Sequence, residues 1–361
     1  MHDFEMIRRI AGEISGSTYE VVIGDLLDDI IREHLEKYDQ KRMFVSSGLN
    51  ETYRERLSIL TGRENLAEIH DGEGQKSFDA YSAIVSSLLS AGLPRSVLLS
   101  YAGGGTLGDL IGFVSSTYKR GTSFTAIPTT LLAQVDSSIG GKNGVNLSGV
   151  KNAIGTFHLP EKVFCDTSFL NDRVISDGLS EMVKYGVIGD VTIIDSLMGL
   201  KGDSILSQNE LLSSLIAKCV SMKMNVVAAD IQDTKGVRSI LNFGHTIGHA
   251  IESVSGNSIS HGRAIAAGMI IESRMSELAE ICEDPVSPVL SNVFWMIGID
   301  VPRPDSTWGQ EIMSYVRNDK KVEGGMVKLP VPLRIGRMGS LDVDLESFGK
   351  LASRAMEDLW R

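Results

Sequence analysis

An apolar segment runs directly into a glycine turn in Ser96-Val-Leu-Leu-Ser-Tyr101-Ala-Gly-Gly-Gly-Thr-Leu-Gly-Asp109, and a helical pattern follows. The apolar run predicts a buried strand, and the glycines predict a tight turn into the helix. Glycines let a backbone approach a pyrophosphate, and a helix N-terminus presents free amide groups to it. Because the spacing differs from the common G-x-G-x-x-G pattern, an ordinary strand-to-helix turn remains an alternative.

Short apolar runs alternate with helical patterns on both sides of this segment. Strand-like runs lie at 19–23, 42–46, 96–101 and 124–127, and helical patterns lie at 25–38, 51–61 and 77–91. This alternation predicts a mostly parallel sheet with helices on both faces. Beyond about residue 172, helical spacing dominates at 176–199, 208–229, 239–255 and 262–282, and an extended piece returns near 326–338. We therefore predict two domains, 1–172 and 173–361, the second of them helical.

The composition fits a globular chain and argues against several kinds of partner. Of the 361 residues, 42% are hydrophobic and 22% are charged, and the net charge is −11. An acidic chain is unsuited to bind nucleic acid or an anionic membrane. No segment approaches 18 consecutive apolar residues, and Met1–Glu5 lacks the apolar core of a signal peptide. Three scattered cysteines fit a reducing compartment, so we expect a cytoplasmic protein.

A polar, glycine-rich run extends from Pro128 to Asn146. It contains two threonines, two serines, Asp136 and Gly-Gly-Lys142. Hydroxyls and backbone amides that flank a lysine are suited to an anionic ligand. Further basic residues lie beside motif residues and either contact an anion or belong to a solvated face, namely Lys151, Lys184, Lys223 and Arg238.

Three of the seven histidines fall within seventeen positions. His245 and His249 are four residues apart and share one face of a predicted helix, which suits two metal ligands. His261 follows, and Glu181 lies on an earlier predicted helix. Two histidines, one carboxylate and an open position form a catalytic zinc set. Ordinary capping and packing is the alternative for each histidine alone.

Taken together, these motifs resemble the 3-dehydroquinate synthase family over about residues 19 to 338. The motifs are Gly103-Gly-Gly with Asp109, Tyr118-Lys-Arg-Gly121, the 128–146 run, Lys151-Asn152, Glu181 with Lys184, Asn242 to Glu252, His261-Gly262 and Asp319-Lys-Lys321. The resemblance implies an α/β chain in which a Rossmann-like, parallel-sheet NAD domain precedes an α-helical metal-binding domain. It also implies a homodimer in which Arg120 contacts the substrate phosphate in the neighbouring subunit's site.

The resemblance implies a role for each matching residue. The ligands of Zn²⁺, or of Co²⁺ as a substitute, would be Glu181, His245 and His261, whereas His249 would be the acid/base residue and not a ligand. Lys142, Lys151 and Asn152 would also be catalytic. The implied NAD contacts are Asp71, Glu73, Lys76, Gly104, Gly105, Thr106, Asp109, Thr129, Thr130, Asp136, Lys142, Lys151 and Phe169. The implied substrate contacts are Arg120, Asp136, Lys142, Lys151, Asn152, Lys184, Lys223, Arg238, Asn242 and His249.

The implied activity converts 3-deoxy-D-arabino-heptulosonate 7-phosphate to 3-dehydroquinate and phosphate. Transient oxidation by NAD is followed by phosphate elimination, reduction and intramolecular aldol closure. Another sugar-phosphate cyclase, a metal-dependent polyol dehydrogenase and a non-catalytic binding protein are the alternatives. His249 and the pair of Lys142 and Arg238 favour the dehydroquinate reaction over the other cyclases.

Two segments depart from the family pattern. The family usually has Asp-x-Asn after the second strand, where the adenine ribose binds, but this chain has Ser46-Ser-Gly-Leu-Asn50. An acid there repels a 2′-phosphate, so its absence predicts weaker discrimination against NADP. Between Asp230 and Arg238 the chain is one residue longer, so either Asp233 or Thr234 replaces the family's substrate-facing glutamate.

Overall fold

The computed structural model describes residues 7–14, 17–200, 204–256, 258–304, 308–317, 322–323 and 325–360. The predicted elements Met1–Glu5 and Asp319–Lys321 lie outside these ranges. The strands are β1 (Arg8–Ile14), β2 (Ser17–Gly24), β3 (Lys41–Ser46), β4 (Leu66–Ile69), β5 (Leu98–Gly103), β6 (Phe124–Pro128), β7 (Lys142–Leu147), β8 (Val150–Phe157), β9 (Lys162–Asp166), β10 (Val322–Glu323), β11 (Met326–Arg334) and β12 (Arg337–Asp344). The helices are α1 (Asp28–Leu35), α2 (Glu51–Thr61), α3 (Phe78–Ser90), α4 (Gly105–Thr117), α5 (Asp172–Ile188), α6 (Val191–Gly199), α7 (Asn209–Ala229), α8 (His245–Val254), α9 (His261–Leu278), α10 (Ser287–Met296), α11 (Trp308–Arg317) and α12 (Leu345–Leu359).

The chain forms two compact units, and the first comprises Met1–Ile175 and Gln208–Gln232. Its seven-stranded sheet has the order β1-β2-β9-β6-β5-β3-β4. β1 is antiparallel to β2, and every other neighbouring pair is parallel. All six residues of β5 are buried, as its continuous apolar run predicts for a strand covered on both faces. The predicted fold class, a parallel-sheet N-terminal part followed by a helical part, is confirmed.

The strand register brings four strand ends to one edge of this sheet. Ser46 of β3 pairs with Ile69 of β4, Val45 of β3 with Ala102 of β5, and Gly103 of β5 with Pro128 of β6. The turns that follow β3, β4, β5 and β6 therefore begin side by side. Ligands of open parallel sheets bind at this carboxyl edge, so the fold places the glycine turn where a nucleotide would bind.

Helix α7 belongs to the first unit by its packing, although the predicted division assigned it to the second domain. It packs against β1, β2 and the π-helical turn Ala133–Ser137, because its apolar side chains, Leu215, Ile216 and Val220 among them, are buried. By length and composition alone α7 could cross a membrane, but half of its most apolar window is buried inside the protein. Core helices pass the same test, so α7 is weak evidence for a membrane span.

The second unit comprises Ser176–Ser207 and Asp233–Arg361. It contains most of α5, the helices α6 and α8–α12, and an antiparallel sheet of β10, β11 and β12. Helices α8 and α9 approach closely because Gly268 has no side chain. A Cβ at Gly268 would collide with the Gly244 carbonyl and would lie 2.7 Å from the Gly248 amide nitrogen. This contact fixes the first turn of α8 against α9.

Several elements differ from the sequence-based prediction. The structure adds β1, β9, the β7–β8 hairpin and the helices α10–α12, and it divides the predicted 176–199 helix into α5 and α6. The division follows from Asp190, whose side chain caps α6 by accepting from the Thr192 amide. The first predicted helix, 25–38, is shorter in the structure, at Asp28–Leu35.

Candidate active site

Three predicted metal ligands meet in the second unit. Glu181 lies on α5, and His245 and His261 are the first residues of α8 and α9. Their ligand atoms all lie within 4.8 Å of one another. The Nε2 atoms of both histidines are 3.5 Å from Glu181 Oε1. Ligand atoms about 2.1 Å from a tetrahedral metal are about 3.4 Å apart, so the spacing fits one zinc-sized ion.

The hydrogen bonds of the two rings orient their Nε2 atoms towards Glu181. His245 Nδ1 lies 3.1 Å from the Phe243 carbonyl oxygen, and His261 Nδ1 lies 3.3 Å from Glu252 Oε2. A carbonyl only accepts, so His245 Nδ1 carries the proton and Nε2 presents a lone pair to a carboxylate oxygen. Two acceptors that face each other in this way are stabilised by a cation between them. The donor set therefore fits a metal ion.

Burial and neighbouring charges act in opposite directions on the two histidines. Burial lowers the pKa of His245 to about 3, which keeps its ring neutral. Burial also opposes a charge on His261, but hydrogen bonds to Glu181 and Glu252 outweigh it and raise the pKa of His261 to about 10. Two carboxylates thus favour positive charge at the His261 ring.

Buried carboxylates fix the two helix ends that carry these histidines. Glu272 of α9 is fully buried, and it accepts hydrogen bonds from the amides of Gly244, Thr246 and Ile247 at 2.6, 3.1 and 3.0 Å. It thereby satisfies the free amides that begin α8.

Asp177 of α5 caps the N-terminus of α9. Its Oδ1 accepts hydrogen bonds from the Gly262 amide and the Ser260 hydroxyl, both at 2.8 Å. The starts of both helices, and with them His245 and His261, are held in place by these two acids.

His249 lies beside the group but is not one of its three members. Its ring centroid is 5.1 Å from that of His245 and 6.0 Å from that of His261. Its Nε2 lies 3.9 Å from Glu252 Oε2, and its side chain is 40% exposed. His249, Glu252 and His261 form a second three-residue group of ligand type. The group around Glu181 is the buried one, which favours it as the metal site and leaves His249 reachable from solvent.

Three predicted substrate contacts lie in the same unit. The Lys184 side chain is 1% exposed and forms an ion pair with Glu181 Oε2, the oxygen that the histidines do not face. Arg238, which is buried, and Asn242 lie on the short 3₁₀ helix Val237–Asn242 that precedes α8. Asp233, one of two candidates for the family's glutamate, has a left-handed backbone, with φ of 55°.

A cavity of 660 Å³ opens at the carboxyl edge of the first unit's sheet. This volume suits a cofactor-sized ligand. The N-terminus of α4 faces it through Gly104, Gly105 and Thr106, and such a terminus offers amide donors to a phosphate. The predicted NAD contacts that line it are Asp71, Gly104, Gly105, Thr106, Thr129, Thr130 and Phe169.

The remaining predicted contacts of the first unit form pairs near this edge. Glu73 accepts from Thr106 Oγ1 at 3.3 Å and from Asn146 Nδ2 at 2.8 Å, which connects the β4 turn to α4 and to β7. Two ion pairs join further predicted contacts, namely Lys76 with Asp109, and Lys223 with Asp136 at 3.0 Å.

Lys142, Lys151 and Asn152 lie on the β7–β8 hairpin and are exposed. Asn152 has a φ of 51°, and its amide donates to Asn146 Oδ1 at 2.8 Å, which holds the hairpin turn.

Arg120 lies in a strained turn at the surface. Lys119 and Arg120 have φ of 46° and 68°, both in the left-handed region that non-glycine residues seldom adopt. The Lys119 ammonium and the Tyr118 hydroxyl both donate to the Leu93 carbonyl oxygen at 2.7 Å. Arg95 Nε donates to the Gly121 carbonyl at 3.0 Å. These bonds hold the turn, and Arg120 is exposed.

Sequence reasoning missed the residues that support the metal ligands. Glu272, Asp177 and Gly268 act through backbone groups, so no ligand spacing reveals them. Glu252 closes the quoted Asn242–Glu252 motif, and its place one helical turn after His249 was the available signal.

Known proteins resemble this chain over most of its length. Residues 66–176 match the family described as 3-dehydroquinate synthase N-terminal, and residues 178–322 match 3-dehydroquinate synthase C-terminal. The 3-dehydroquinate synthase of Thermoplasma volcanium is 38% identical over 336 residues, which cover 92% of each chain.

Among solved structures, 2-deoxy-scyllo-inosose synthase in complex with carbaglucose-6-phosphate, NAD⁺ and Co²⁺ has a TM-score of 0.86 at 22% identity, covering 97% of this chain and 100% of its own. The 2-epi-5-epi-valiolone synthase of Streptomyces hygroscopicus with NAD⁺ and Zn²⁺ has a TM-score of 0.82 at 23% identity, covering 98% and 100%. These two share the fold. The family matches and the T. volcanium relative go further: this chain belongs to the 3-dehydroquinate synthase family.

Proposed function

We propose that this chain converts 3-deoxy-D-arabino-heptulosonate 7-phosphate to 3-dehydroquinate and phosphate, using NAD and a divalent metal. Membership of the family supports the reaction. The observation that carries the proposal is the group of Glu181, which is buried, with His245 and His261, in which both Nε2 atoms lie 3.5 Å from one carboxylate oxygen. A nucleotide cavity without such a group would fit a simpler dehydrogenase equally well.

Glu181, His245 and His261 would hold Zn²⁺, or Co²⁺ in its place. When bound there, the metal supplies Lewis acidity that makes substrate hydroxyls easier to deprotonate. The residues around it have their own tasks. Glu252 and the Phe243 carbonyl keep the ligand rings oriented, and the exposed His249 would accept and return a proton near neutral pH, for which imidazole is suited.

The glycine turn, Thr106, Thr129, Thr130 and Phe169 would hold NAD in the cavity of the first unit. The chemistry that NAD would supply there is reversible hydride transfer, so that the overall reaction would not be redox. Glu73 and Lys76 would support the turn that closes over the cofactor through their bonds to Thr106 and Asp109.

Cationic and amide side chains would bind the anionic ends of the substrate. Lys151 and Asn152, with His249, would contact the phosphate, and Lys142, Arg238 and Asn242 would orient the carboxylate. Lys184 reaches the Glu181 carboxylate and Lys223 reaches Asp136. An ammonium group that is paired with a carboxylate keeps a fixed position. Lys184 and Lys223 would therefore orient the substrate and not merely attract it.

The test is phosphate release from the heptulosonate phosphate, measured with and without NAD and after exhaustive chelation. We expect release to need both the nucleotide and the metal, zinc or cobalt to restore it after chelation, and no NADH to accumulate. Stoichiometric NADH formation with an alcohol would favour a polyol dehydrogenase. Turnover of a sugar phosphate without a carboxylate, and none of the heptulosonate phosphate, would favour another cyclase.

The proposal also includes a cytoplasmic location, which the three free cysteines support. It further includes a homodimer with shared sites. The strained turn at Lys119–Arg120 supports the homodimer, because backbone strain is retained where a side chain must be held in a particular direction. A guanidinium can hold a phosphate through two parallel hydrogen bonds.

Arg120→Ala and His249→Ala should each be inactive alone. Mixed dimers of the two should regain activity, since one site then contains both residues. A monomer by light scattering, or mixed dimers without activity, would refute the shared site.

A further inference from the structure

The β7–β8 hairpin has an irregular stretch that contains Lys151 and Asn152. The strand register shifts at Asn146, which alone stands opposite residues 151–153 of β8. The pairs on either side of the shift are Val145 with Ile154 and Leu147 with Val150. Extra residues of this kind bend a strand and redirect its side chains. The direction of Lys151 and Asn152 therefore depends on what holds this bulge.

The Asn146 side chain holds the bulge from the opposite strand. Its Oδ1 accepts a hydrogen bond from the Asn152 amide at 2.8 Å. Asn152 has a φ of 51°, in the left-handed region that asparagine tolerates better than most residues but still at a cost. The bond fixes the peptide group that joins Lys151 to Asn152, so the two side chains leave the backbone in set directions.

Asn146 is also bonded to the turn that follows β4. Its Nδ2 donates to Glu73 Oε1 at 2.8 Å, and its backbone amide donates to the Lys76 carbonyl oxygen at 2.7 Å. Glu73 accepts in turn from Thr106 Oγ1 at 3.3 Å, and Thr106 lines the 660 Å³ cavity in the first turn of α4. A continuous path of hydrogen bonds thus runs from the cavity through Glu73 and Asn146 to the bulge.

The two side-chain partners determine which residue type can occupy this place. The Asn152 amide only donates and the Glu73 carboxylate only accepts, so the oxygen and nitrogen of the Asn146 amide cannot be exchanged. An aspartate would keep the acceptor for Asn152 but would set a second carboxylate against Glu73. Asparagine serves both partners at this length, which indicates that the position joins two segments and does not merely hold the hairpin.

We propose that Asn146 is a positioning residue that couples phosphate binding at Lys151 and Asn152 to NAD binding in the cavity; the inference rests on the proposed NAD-dependent function. A cofactor that contacts Thr106 and Glu73 restricts the motion of the whole path. Less conformational freedom is then lost when a phosphate binds at the bulge. By linkage, phosphate tightens NAD binding by the same factor as NAD tightens phosphate binding.

The test is calorimetric titration of the metal-loaded protein with NAD, with and without an excess of inorganic phosphate, which alone cannot turn over. We expect phosphate to tighten NAD binding at least about fivefold in the wild type. In Asn146→Ala and in Asn146→Asp this factor should fall below about twofold, because both variants lose the donor to Glu73. A wild-type factor in Asn146→Ala would overturn the inference. So would a wild-type factor in Asn146→Asp, since the bond to Asn152 would then be sufficient.

Asn143→Ala is the matched control on the same strand. The Asn143 Nδ2 donates at 2.8 Å to the carbonyl oxygens of Gly141 and His158. These bonds hold the other end of the hairpin, and neither acceptor belongs to the turn after β4. We expect a lower melting temperature and a coupling factor within about twofold of the wild type. A loss of coupling equal to that in Asn146→Ala would assign the factor to hairpin stability and would overturn the inference.

The wild type itself separates this inference from the proposed function. A protein that binds NAD and releases phosphate from the heptulosonate phosphate, but whose NAD affinity does not respond to inorganic phosphate, overturns this inference alone. A protein that neither binds nor needs NAD overturns the proposed function with it.

Discussion

The metal-ligand group and the nucleotide cavity are built from different parts of the polypeptide. The metal group consists of one carboxylate and two imidazole side chains from three helices, of which Glu181 is fully buried and both histidines are partly buried. The cavity is lined largely by turns at strand ends and by the N-terminus of α4. The metal group depends on side chains that are held in place by other side chains. The cavity depends on the path of the backbone.

This difference predicts different responses to mutation. A buried charge that loses its partner is costly, so changes in the metal group should impair stability and metal binding together. A backbone-lined cavity has room for small additions, so changes there should impair ligand binding without unfolding the protein. The following substitutions test this contrast, from the largest expected effect to the smallest.

Replacing a metal ligand should have the largest effect. His245→Ala removes one of three ligands, so we expect loss of bound zinc on dialysis and a fall in phosphate release of at least about a thousandfold. His249→Ala should keep the metal and lose rate by about a hundredfold or more, because its ring is exposed and is not one of the three ligands around Glu181. Metal analysis of both proteins decides the assignment. Equal metal loss in both variants would instead support His245 and His249 as the pair of metal ligands, as helix spacing alone suggests.

Removing a helix cap should separate support of the metal site from stability in general. Glu272→Gln replaces one carboxylate oxygen with an amide that cannot accept the backbone hydrogen bonds at the start of α8. We expect the free energy of unfolding to fall by about 2 kcal/mol and the zinc affinity to fall at least tenfold.

Glu277→Gln is the control, because Glu277 also caps a helix of this unit: its Oε1 accepts from the amides of Val286 and Ser287 at the start of α10, and its Oε2 accepts from the Ser287 hydroxyl. It should lose stability and retain zinc affinity. Equal losses of affinity in both variants would show that the effect is not local to α8.

A methyl group in the glycine turn should affect only the ligand. A Cβ at Gly104 would meet Thr130 no closer than 3.5 Å, and its φ of −80° suits alanine. Gly104→Ala should therefore keep its melting temperature. We expect it to bind NAD about tenfold more weakly, because the added methyl group would lie where a pyrophosphate must approach the backbone. Gly199→Ala, where an added Cβ meets no atom within 4 Å, is the control. Unchanged NAD affinity in Gly104→Ala would place the pyrophosphate elsewhere.

The smallest expected effect concerns pH and the first unit. His34 is buried, and its Nε2 lies 2.8 Å from Thr125 Oγ1. Burial, with the nearby Lys162 charge, lowers the pKa of His34 to about 4. Between pH 6.5 and 4 the unfolded chain binds the proton and the folded chain does not, so stability rises with pH across this window and falls on acidification.

We expect His34 to contribute to this loss. His34→Gln cannot titrate, and denaturant unfolding between pH 7 and 4.5 should show a flatter profile than the wild type. A profile as steep as that of the wild type would assign the acid sensitivity to other groups.

The sequence predicted the cavity better than the support of the metal group. The glycine turn follows a buried strand, and local patterns of apolar and glycine residues are enough to predict both. The carboxyl edges of β3 to β6 then meet because parallel strands align. Strands β1 and β9 were missed, since their polar and apolar residues give no clear period in a window of seven or five residues.

Local sequence patterns did not predict which residues support the metal group. Helical spacing alone paired His245 with His249, because the two share a helix face. His261 and Glu181 were further candidates from the sequence, and only the family resemblance made His261 a ligand in place of His249. Glu272 lies 27 residues after His245 in the chain, and its role depends on the close packing of α8 on α9 at Gly268. No local pattern encodes such a contact between helices.

Helix α7 has a consequence for how this polypeptide can be divided. The chain leaves the first unit after Ile175, returns for Gln208–Gln232 and leaves again. A gene fragment that ends near residue 172 would encode a sheet without the helix that packs on β1 and β2, and the complementary fragment would carry α7 without that sheet. Each half would expose apolar surface that chaperones could bind during synthesis. Helix α7 without its sheet would have the length and apolar composition of a membrane anchor. Recombination that exchanges the two units between relatives would have to carry this helix with the N-terminal piece.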